Sequence, residues 1–310
     1  MHVLLLNQTF HPDVAATAQM AKDLADHLIA AGHRVTAVAS RSLYGQAGAV
    51  LPSRERVDGI DVRRVGASLF GKAGYAARIA DFGLFYALGA AQVMTGERPD
   101  VVVCLTTPPF IAMVGLLSRA LRGSRAVYWV MDLYPDLPIA CGVLREGGIA
   151  ARFFEALNRF VLKRSDVDVV LGRCMRERVI DKGVDPSRVR LIPVWSSDAS
   201  EGPVAHEENP YREAWGLHGR FAVMYSGNFG IGHEAQTICR AMERLKGDAD
   251  VRFVFVGDGK RRAEVETFVR ERGIASAAYY DYQPRAQLGE SLSAGDVHLI
   301  SLRQTATGIM

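Results

Sequence analysis

Three short turns in the second half of this 310-residue sequence contain residues that can hold a phosphate group. Two of them, residues 226–234 and 256–260, stand between a short apolar run and a segment of helical period. Glycine lets the backbone approach an anion, and a helix that begins there adds free N–H groups and partial positive charge. The third turn, residues 304–308, follows the last strand-like run. A tight turn without a ligand explains any one of them, but three at one sheet edge favour a nucleotide-diphosphate site.

A carboxylate stands at a predicted strand end in the first half of the chain. Asp132 follows the apolar run 126–131 and precedes Leu133-Tyr134-Pro135. A group in this position would face a ligand cleft, and a turn aspartate ahead of proline explains it equally. The loops at 8–13 and 106–110 also follow strand-like runs, and they either line an acceptor pocket or only begin helices.

The turn after the first strand lacks the glycines of a dinucleotide-binding domain. No glycine occurs between Met1 and Gly32, which disfavours NAD or FAD at this position. Asp13 or Thr17 therefore either caps the following helix or faces an acceptor.

Apolar runs alternate with longer segments of helical period, which is typical of βα units on parallel sheets. Strands are predicted at residues 2–7, 34–40, 60–65, 101–105, 126–131, 167–171, 189–193, 221–225, 251–256, 277–280 and 297–302. Helices are predicted at residues 15–31, 74–95, 110–121, 150–164, 175–182, 234–245, 261–272 and 287–294.

The polar stretch 196–209 predicts a linker between an N-terminal domain at 1–195 and a C-terminal domain at 210–310. The second domain would hold four strands and stop directly after one. We therefore expect it to be incomplete at Met310.

Composition narrows the classes of function. Apolar residues make up 49% and charged residues 23%, which predicts packed cores, and a net charge of +3 is too weak to indicate nucleic acid. The four widely spaced cysteines form no CxxC pair and suit free thiols in a reducing compartment. No signal peptide or membrane span is visible, so we expect a cytoplasmic protein.

Two other patterns have a functional and a structural explanation. The pairs Asp166/Asp168 and Asp248/Asp250 have the spacing of a metal-binding motif, but both enter strands, so one residue of each is expected to face away and metal binding is disfavoured. Residues 67–95 carry a wide apolar face with Lys72 and Arg78. This face could lie on a bilayer surface or be a buried helix.

Several motifs follow one another in an order that resembles glycosyltransferase family 4, in its bacterial O-antigen and exopolysaccharide branch. The resemblance covers essentially the whole chain. The motifs are Gln8-Thr9-Phe10-His11-Pro12-Asp13, Gly32-His33-Arg34-Val35, Thr106-Thr107-Pro108-Pro109, Trp129-Val130-Met131-Asp132-Leu133-Tyr134-Pro135, Tyr225-Ser226-Gly227-Asn228, Gln283-Pro284-Arg285 and Asp296-Val297-His298-Leu299.

This resemblance implies a GT-B fold, with two Rossmann-like domains facing a cleft, and a retaining, metal-independent sugar transfer. The nucleotide-diphosphate sugar is the donor, so no cofactor is expected, and the acceptor is a saccharide or a lipid-linked sugar. It implies Asp132 beside the reacting carbon. The implied donor-side residues are Gly227, Asn228, His233, Gly257, Asp258, Gly259, Arg303 and Gly308. The implied acceptor-side residues are Phe10, Pro12, Asp13, Thr107 and Pro108. With a lipid-linked acceptor, the protein would contact the cytoplasmic face of the inner membrane.

The sequence departs from this family at the first phosphate turn. Many relatives carry an Arg after the glycine and a Lys several residues later, whereas this chain has Asn228 and then His233-Glu234. Charge compensation must then come from Arg303, Lys260 or a segment beyond Met310. Two alternatives stay open, a nucleotide-sugar 2-epimerase of the same fold and a donor-binding remnant without catalysis.

Overall fold

The structure, a computed structural model, describes residues 1–13, 15–43, 46–66, 75–195 and 203–310. The chain divides into two compact units. The first comprises Met1–Ser197 together with Gly308–Met310, and the second comprises Asp198–Thr307. The predicted second domain ran to residue 310, so the assignment of the last three residues differs from the expectation.

Among the described residues, the first unit contains an eight-stranded sheet of order β10-β9-β8-β7-β1-β2-β6-β5, in which all neighbours but β5 and β6 are parallel. A short antiparallel pair, β3 and β4, stands apart. The strands are β1 (His2–Leu6), β2 (Arg34–Ser40), β3 (Ser42–Leu43), β4 (Gln46–Val50), β5 (Arg54–Val57), β6 (Ile60–Val65), β7 (Val101–Cys104), β8 (Arg125–Val130), β9 (Val167–Val170) and β10 (Val189–Leu191).

Helices cover both faces of this sheet, as expected for parallel strands that are apolar on both sides. They are α1 (Ala16–Ala30), α2 (Tyr75–Thr95), α3 (Ala112–Arg122), α4 (Asp136–Ala140), α5 (Ile149–Arg164) and α6 (Arg173–Asp181). Helix α1 packs Met20, Ala21 and Ala25 into one core cluster. The second cluster takes apolar side chains from α2, α3, α5 and α6. Gly32 follows α1 with a φ of +79°, the left-handed conformation that glycine commonly adopts just after a helix.

The edge strand β5 was not predicted, although the sequence carries a signal for it. Asp58 and Gly59, the two residues between β5 and β6, both have positive φ, at 48° and 85°. Positive φ at both central residues is the requirement of a type I′ hairpin turn, and Asp-Gly is one of its preferred pairs.

The second unit contains, in its described part, a parallel four-stranded sheet of order β13-β12-β11-β14. Its strands are β11 (Phe221–Ser226), β12 (Val251–Val256), β13 (Ala277–Tyr280) and β14 (Val297–His298), and its helices are α7 (Pro210–Ala214), α8 (Gln236–Arg244), α9 (Arg262–Arg272) and α10 (Leu288–Ser293). Helices α8 and α9 contribute Ile238, Met242 and Val265 to one core cluster. Leu217 and Ala294 belong to a smaller one.

The predicted strands and long helices are confirmed within one or two residues, except at β14. The expected strand at 297–302 leaves the sheet after His298. The Leu299 N–H still bonds to the Met224 carbonyl at 2.7 Å, but the Ser301 carbonyl accepts from His233 instead. Within the described ranges, no helix has the length and apolar character needed to cross a membrane.

Candidate functional site

The loops that follow β11, β12 and β14 meet at one edge of the second sheet. Because the strands are parallel, their carboxyl ends share this edge. Phe229 N–H donates to the Asp258 carbonyl at 2.7 Å, and Arg261 N–H returns to the Phe229 carbonyl at 3.0 Å. Arg303 N–H donates to the Gly232 carbonyl at 2.9 Å. Two of the three predicted turns, 226–234 and 256–260, are thus joined to each other by backbone hydrogen bonds. The first of them is also bonded to the backbone of Arg303.

Two glycines of this site are required by the packing of one turn on the other. Gly257 and Gly259 have φ values of +110° and +143°. A Cβ on Gly257 would meet the Gly227 carbonyl, and one on Gly259 would meet the Phe229 backbone. Gly227 differs, since its φ is +142° but nothing lies within 4 Å of where its Cβ would be. The open backbone surface is therefore at Gly227.

Part of the hydrogen-bonding capacity of the first turn is unused. Among the described residues, the N–H groups of Asn228, Ile231 and Gly232 have no protein acceptor. The start of α8 is different, because the Glu234 carboxylate accepts from Gln236 N–H at 2.7 Å and Thr237 N–H at 3.4 Å. The helix N-terminus that was expected to face phosphate is occupied by an acidic side chain of the chain itself.

Cations at this edge fall into two groups. Arg262 is engaged: it donates to the Gly257 carbonyl at 2.5 Å, pairs with Glu266 at 2.7 Å and lies 5.6 Å from the centre of the Tyr279 ring. Lys260 and Arg303 have no side-chain partner within the described part of the chain. Arg303 is half-buried and its backbone N–H bonds to the first turn, so it is a candidate cation for neutralising an anion there.

His233 links the first turn to the segment after β14. Its Nδ1 lies 2.7 Å from the Ser301 carbonyl oxygen, which can only accept, so Nδ1 carries the proton. The Tyr225 hydroxyl lies 3.3 Å from the same nitrogen and 3.2 Å from the Asn228 carbonyl. Nε2 remains for a ligand, which suits the predicted donor-side role of His233.

In the first unit, Asn7 organises the carboxyl edge of the sheet. Its amide nitrogen donates to the Thr9 carbonyl at 2.8 Å, and its amide oxygen accepts from Thr107 N–H at 3.2 Å. Gln8 N–H donates to the Thr107 carbonyl at 2.7 Å. Asn7 thus joins the two predicted acceptor-side loops. An Asn at the end of an otherwise apolar predicted strand is the sequence signal by which it could have been found.

Arg64 also holds the first of these loops and was not predicted. Its side chain is fully buried, pairs with Glu55 and donates to the His11 carbonyl at 2.5 Å. The position of residues 8–13 therefore depends on the edge strands β5 and β6.

Asp132 lies just beyond β8, where the sequence places it. Burial raises the pKa of its carboxyl to about 6, and no hydrogen bond or ion pair holds it within the described residues. Its neighbour Leu133 is fully buried, and the Leu133 N–H donates to the Ile309 carbonyl at 2.7 Å. A carboxylate that has no partner and little solvation can stabilise a nearby positive charge or accept a proton.

The other predicted acceptor-side residues differ from one another in their burial. Phe10 is a buried core residue in the same cluster as Met20 of α1, so its side chain faces the core and not an acceptor. Asp13 is buried, and its carboxylate accepts from the N–H of Ala15, the residue before α1, at 3.0 Å, so it orders the turn ahead of the helix. Pro12 is exposed, Thr107 is half-buried and Pro108 is buried.

Gly308 packs against the first unit. It belongs to this unit, and a Cβ at its position would lie 2.8 Å from the Cys174 carbonyl carbon. Its φ of +71° and this close approach explain the glycine by packing. Its predicted place near a phosphate stays a prediction.

The remaining patterns have structural roles where the structure describes them. Asp166 pairs with Arg119 at 3.0 Å just before β9, whereas Asp168 on β9 is fully buried without a hydrogen-bond partner, so the two carboxylates lie in different surroundings. Over the described residues, no group of three His, Cys, Asp or Glu side chains could hold a metal ion. The amphipathic segment 67–95 lies partly outside the described residues; its described part is α2, which packs Phe85 and Val93 into the core and leaves Ile79 exposed.

Comparison with known proteins agrees with this arrangement. Residues 16–195 match the family model described as a glycosyl transferase 4-like domain. The chain is 29% identical to the probable glycosyltransferase WbjE of Pseudomonas aeruginosa. The match covers 69% of this chain and 53% of WbjE. It is 24% identical, over 99% of its length, to 78% of the putative colanic acid biosynthesis glycosyl transferase WcaI of Escherichia coli.

The solved structure of Anabaena HepE in complex with UDP-glucose shares the fold. Its TM-score is 0.63 at 12% identity, with 96% of this chain and 73% of that chain covered. The predicted α/β class with two Rossmann-like units, as in GT-B glycosyltransferases, is confirmed.

Proposed function

The chain belongs to the glycosyl transferase 4-like family, and from this membership we propose that it transfers a sugar from a nucleotide-diphosphate donor to a saccharide or lipid-linked acceptor. WbjE and WcaI carry glycosyltransferase names, the latter in colanic acid biosynthesis, which supports a role in cell-surface polysaccharide synthesis. The UDP-glucose bound by HepE supports a nucleotide-sugar donor. A cytoplasmic location follows from that donor, and the reaction as proposed requires no metal ion.

The proposal rests on one observation in the second unit. At the carboxyl edge of its sheet, backbone N–H groups without a protein acceptor occur together with Arg303, whose side chain has no partner among the described residues. The N–H groups of the exposed residues Asn228 and Ile231 have no protein acceptor within the described residues and are available to donate to diphosphate oxygens. Many relatives carry an Arg at the position of Asn228. Here Arg303, whose N–H bonds to the Gly232 carbonyl, supplies the positive charge instead. Asp258, an exposed residue of the turn between Gly257 and Gly259, remains for the base and ribose.

The proposed reaction retains the configuration of the sugar. The bond between the anomeric carbon and the diphosphate oxygen breaks, and its electron pair leaves with the diphosphate. The acceptor hydroxyl oxygen bonds to the same face of that carbon, and its proton passes to the departing oxygen. Backbone N–H groups and Arg303 stabilise the charge that develops on the leaving group. Asp132 of the first unit stabilises the positive charge on the sugar ring or orients the acceptor.

Calorimetric titration with UDP and GDP tests the donor site directly. We expect one of them to bind, and Arg303→Gln to weaken that binding by roughly tenfold through loss of a charge-assisted contact. Arg240→Gln, an exposed arginine of α8, is the matched control and should leave the affinity unchanged. Binding of neither nucleotide, or equal effects of both variants, would contradict the site. Mass spectrometry of the donor without acceptor then separates transfer from epimerisation, since only an epimerase converts the sugar alone.

A further inference from the structure

The backbone that follows Asp132 forms a short turn. The Asp132 carboxylate has no partner among the described residues, so its position depends on this backbone. Within the turn, which we call the 132–137 turn, Leu137 N–H donates to the Leu133 carbonyl at 2.9 Å, and α4 begins at Asp136. Helix α4 has only five residues, too few to be stable without support from neighbouring elements. The turn must therefore be held in place by contacts with the rest of the first unit.

A buried cation contacts the start of α4. Lys182, the residue that follows α6, is only 7% exposed. Its ammonium lies 2.8 Å from a carboxylate oxygen of Asp136 and 2.7 Å from a carboxylate oxygen of Glu155 on α5. Lysine is almost never buried unless it is paired, and here one ammonium serves two carboxylates. Lys182 thus joins the start of α4 to α5 and to the end of α6.

The two carboxylates depend on this ammonium to different extents. Glu155 has a second close partner on its own helix, the Arg159 guanidinium at 2.6 Å. The other cation recorded beside Asp136 within the described residues, Arg178, lies 4.0 Å away. Loss of Lys182 would leave Asp136 half-buried without a close counter-charge, whereas Glu155 would keep one. A half-buried carboxylate without a partner is poorly solvated, which favours movement of the start of α4 toward water.

We propose that Lys182 is a positioning residue for Asp132, because it fixes the start of α4 and with it the backbone that carries this carboxylate. The inference rests on the proposed function, in which Asp132 acts on the sugar or the acceptor. Lys182 itself contacts neither, and acts through Asp136 and the 132–137 turn. A displacement of about 1 Å at a reacting group can slow a reaction roughly 100-fold, so this anchor matters for turnover. Donor affinity, set by the turns of the second unit, does not depend on it.

Steady-state kinetics of the full chain separate positioning from stability. Lys182→Met nearly keeps the length of the side chain and removes its charge, so it should lower kcat at least about tenfold with an unchanged KM for the donor. Glu155→Gln is the matched control. It removes the other partner of the same ammonium and leaves the pair with Asp136, so it should destabilise the fold in urea and leave kcat unchanged.

Two further variants show whether Lys182 acts through Asp136 and Asp132. Asp136→Asn breaks the same pair from the other side and leaves Lys182 paired with Glu155, so it should lower kcat like Lys182→Met and replaces that variant if it does not fold. Adding Lys182→Met to Asp132→Asn should cause no further loss, because the two changes then affect one interaction. Multiplied losses in the double variant, or equal losses of kcat in Glu155→Gln, would overturn the proposal.

Amide hydrogen exchange tests the same anchor without donor or acceptor. Lys182→Met should speed exchange of the Leu137 N–H about tenfold relative to the amides of the central strand β7, which report unfolding of the whole unit. Glu155→Gln should leave this ratio unchanged. A ratio that stays the same in Lys182→Met, or rises equally in both variants, would show that Lys182 does not hold the turn. If the unaltered chain transfers no sugar, the proposed function fails, and the exchange ratio still decides the role of Lys182.

Discussion

Replacement of Asp168 by asparagine should stabilise the first unit at neutral pH. Asp168 lies on β9 opposite Tyr128 of β8, is fully buried, and neither carboxylate oxygen has a hydrogen-bond partner. Ser165 is close, but its hydroxyl donates to the Val161 carbonyl at 3.0 Å. Burial raises the pKa of this carboxyl to about 8. The amide of asparagine is similar in size and stays uncharged, so it avoids the cost of protonation.

The magnitude follows from the difference in pKa between the folded and unfolded states. The carboxyl is protonated in the folded unit and ionised in the unfolded chain between about pH 4 and about pH 8. Because the folded pKa is the higher one, the cost is absent below this window, grows through it, and is constant above it. At about 1.36 kcal/mol per pH unit, it reaches at most about 4 kcal/mol at pH 7, and relaxation of the interior reduces it to roughly 2–4 kcal/mol.

Urea unfolding measures this cost in a Trp215→Phe background, where the remaining tryptophans, Trp129 and Trp195, both report the first unit. The gain in unfolding free energy of Asp168→Asn should grow by about 3 kcal/mol between about pH 5 and about pH 8.5. Asp166→Asn is the matched control: it loses the pair with Arg119 and weakens the bond from Ala126 N–H, so it should destabilise by roughly 1 kcal/mol. A gain for Asp168→Asn that is absent or independent of pH would refute the reasoning.

Two further predictions concern the proposed reaction. Asp132→Asn should lower turnover by at least roughly 100-fold with unchanged donor affinity, and the activity of the unaltered enzyme should fall as the pH drops through about 6, where Asp132 takes up a proton. Steady-state rates against pH, with calorimetry for donor affinity, check this, and preserved turnover would remove Asp132 from the chemistry. Glu234→Gln keeps an acceptor for Gln236 N–H but removes a negative charge, so the affinity for UDP or GDP should rise about fivefold. Unchanged affinity would mean that the diphosphate lies away from the start of α8.

The sequence predicts the parallel βα architecture well because strand and helix periods are local properties. The strand at 251–256 and that at 277–280 are found at their predicted bounds, and the turn glycines Gly257 and Gly259 do bring backbone into close contact. What these glycines contact was not predictable. Their positive φ values and lack of a Cβ allow one turn to pack on the other, and that packing cannot be seen from a single turn. β5 could have been found from Asp58-Gly59.

What the sequence could not supply depends on long-range packing. Whether Phe10 faces solvent or core is decided by α1 and the neighbouring strands, not by its own loop. The acidic cap at α8 required the backbone geometry around Glu234, and the placement of Gly308 required the contact with Cys174. The burial of Asp168 against Tyr128 depends on the register between β8 and β9.

Transfer itself is tested most directly by incubating the protein with UDP-glucose, UDP-galactose or GDP-mannose and a lipid-linked oligosaccharide fraction, and following both products by mass spectrometry. The proposed function predicts that one donor releases its nucleoside diphosphate in step with the gain of one sugar on an acceptor, and that Arg303→Gln slows both equally. An intact donor that binds but is never consumed, or a sugar altered with no acceptor present, would contradict it.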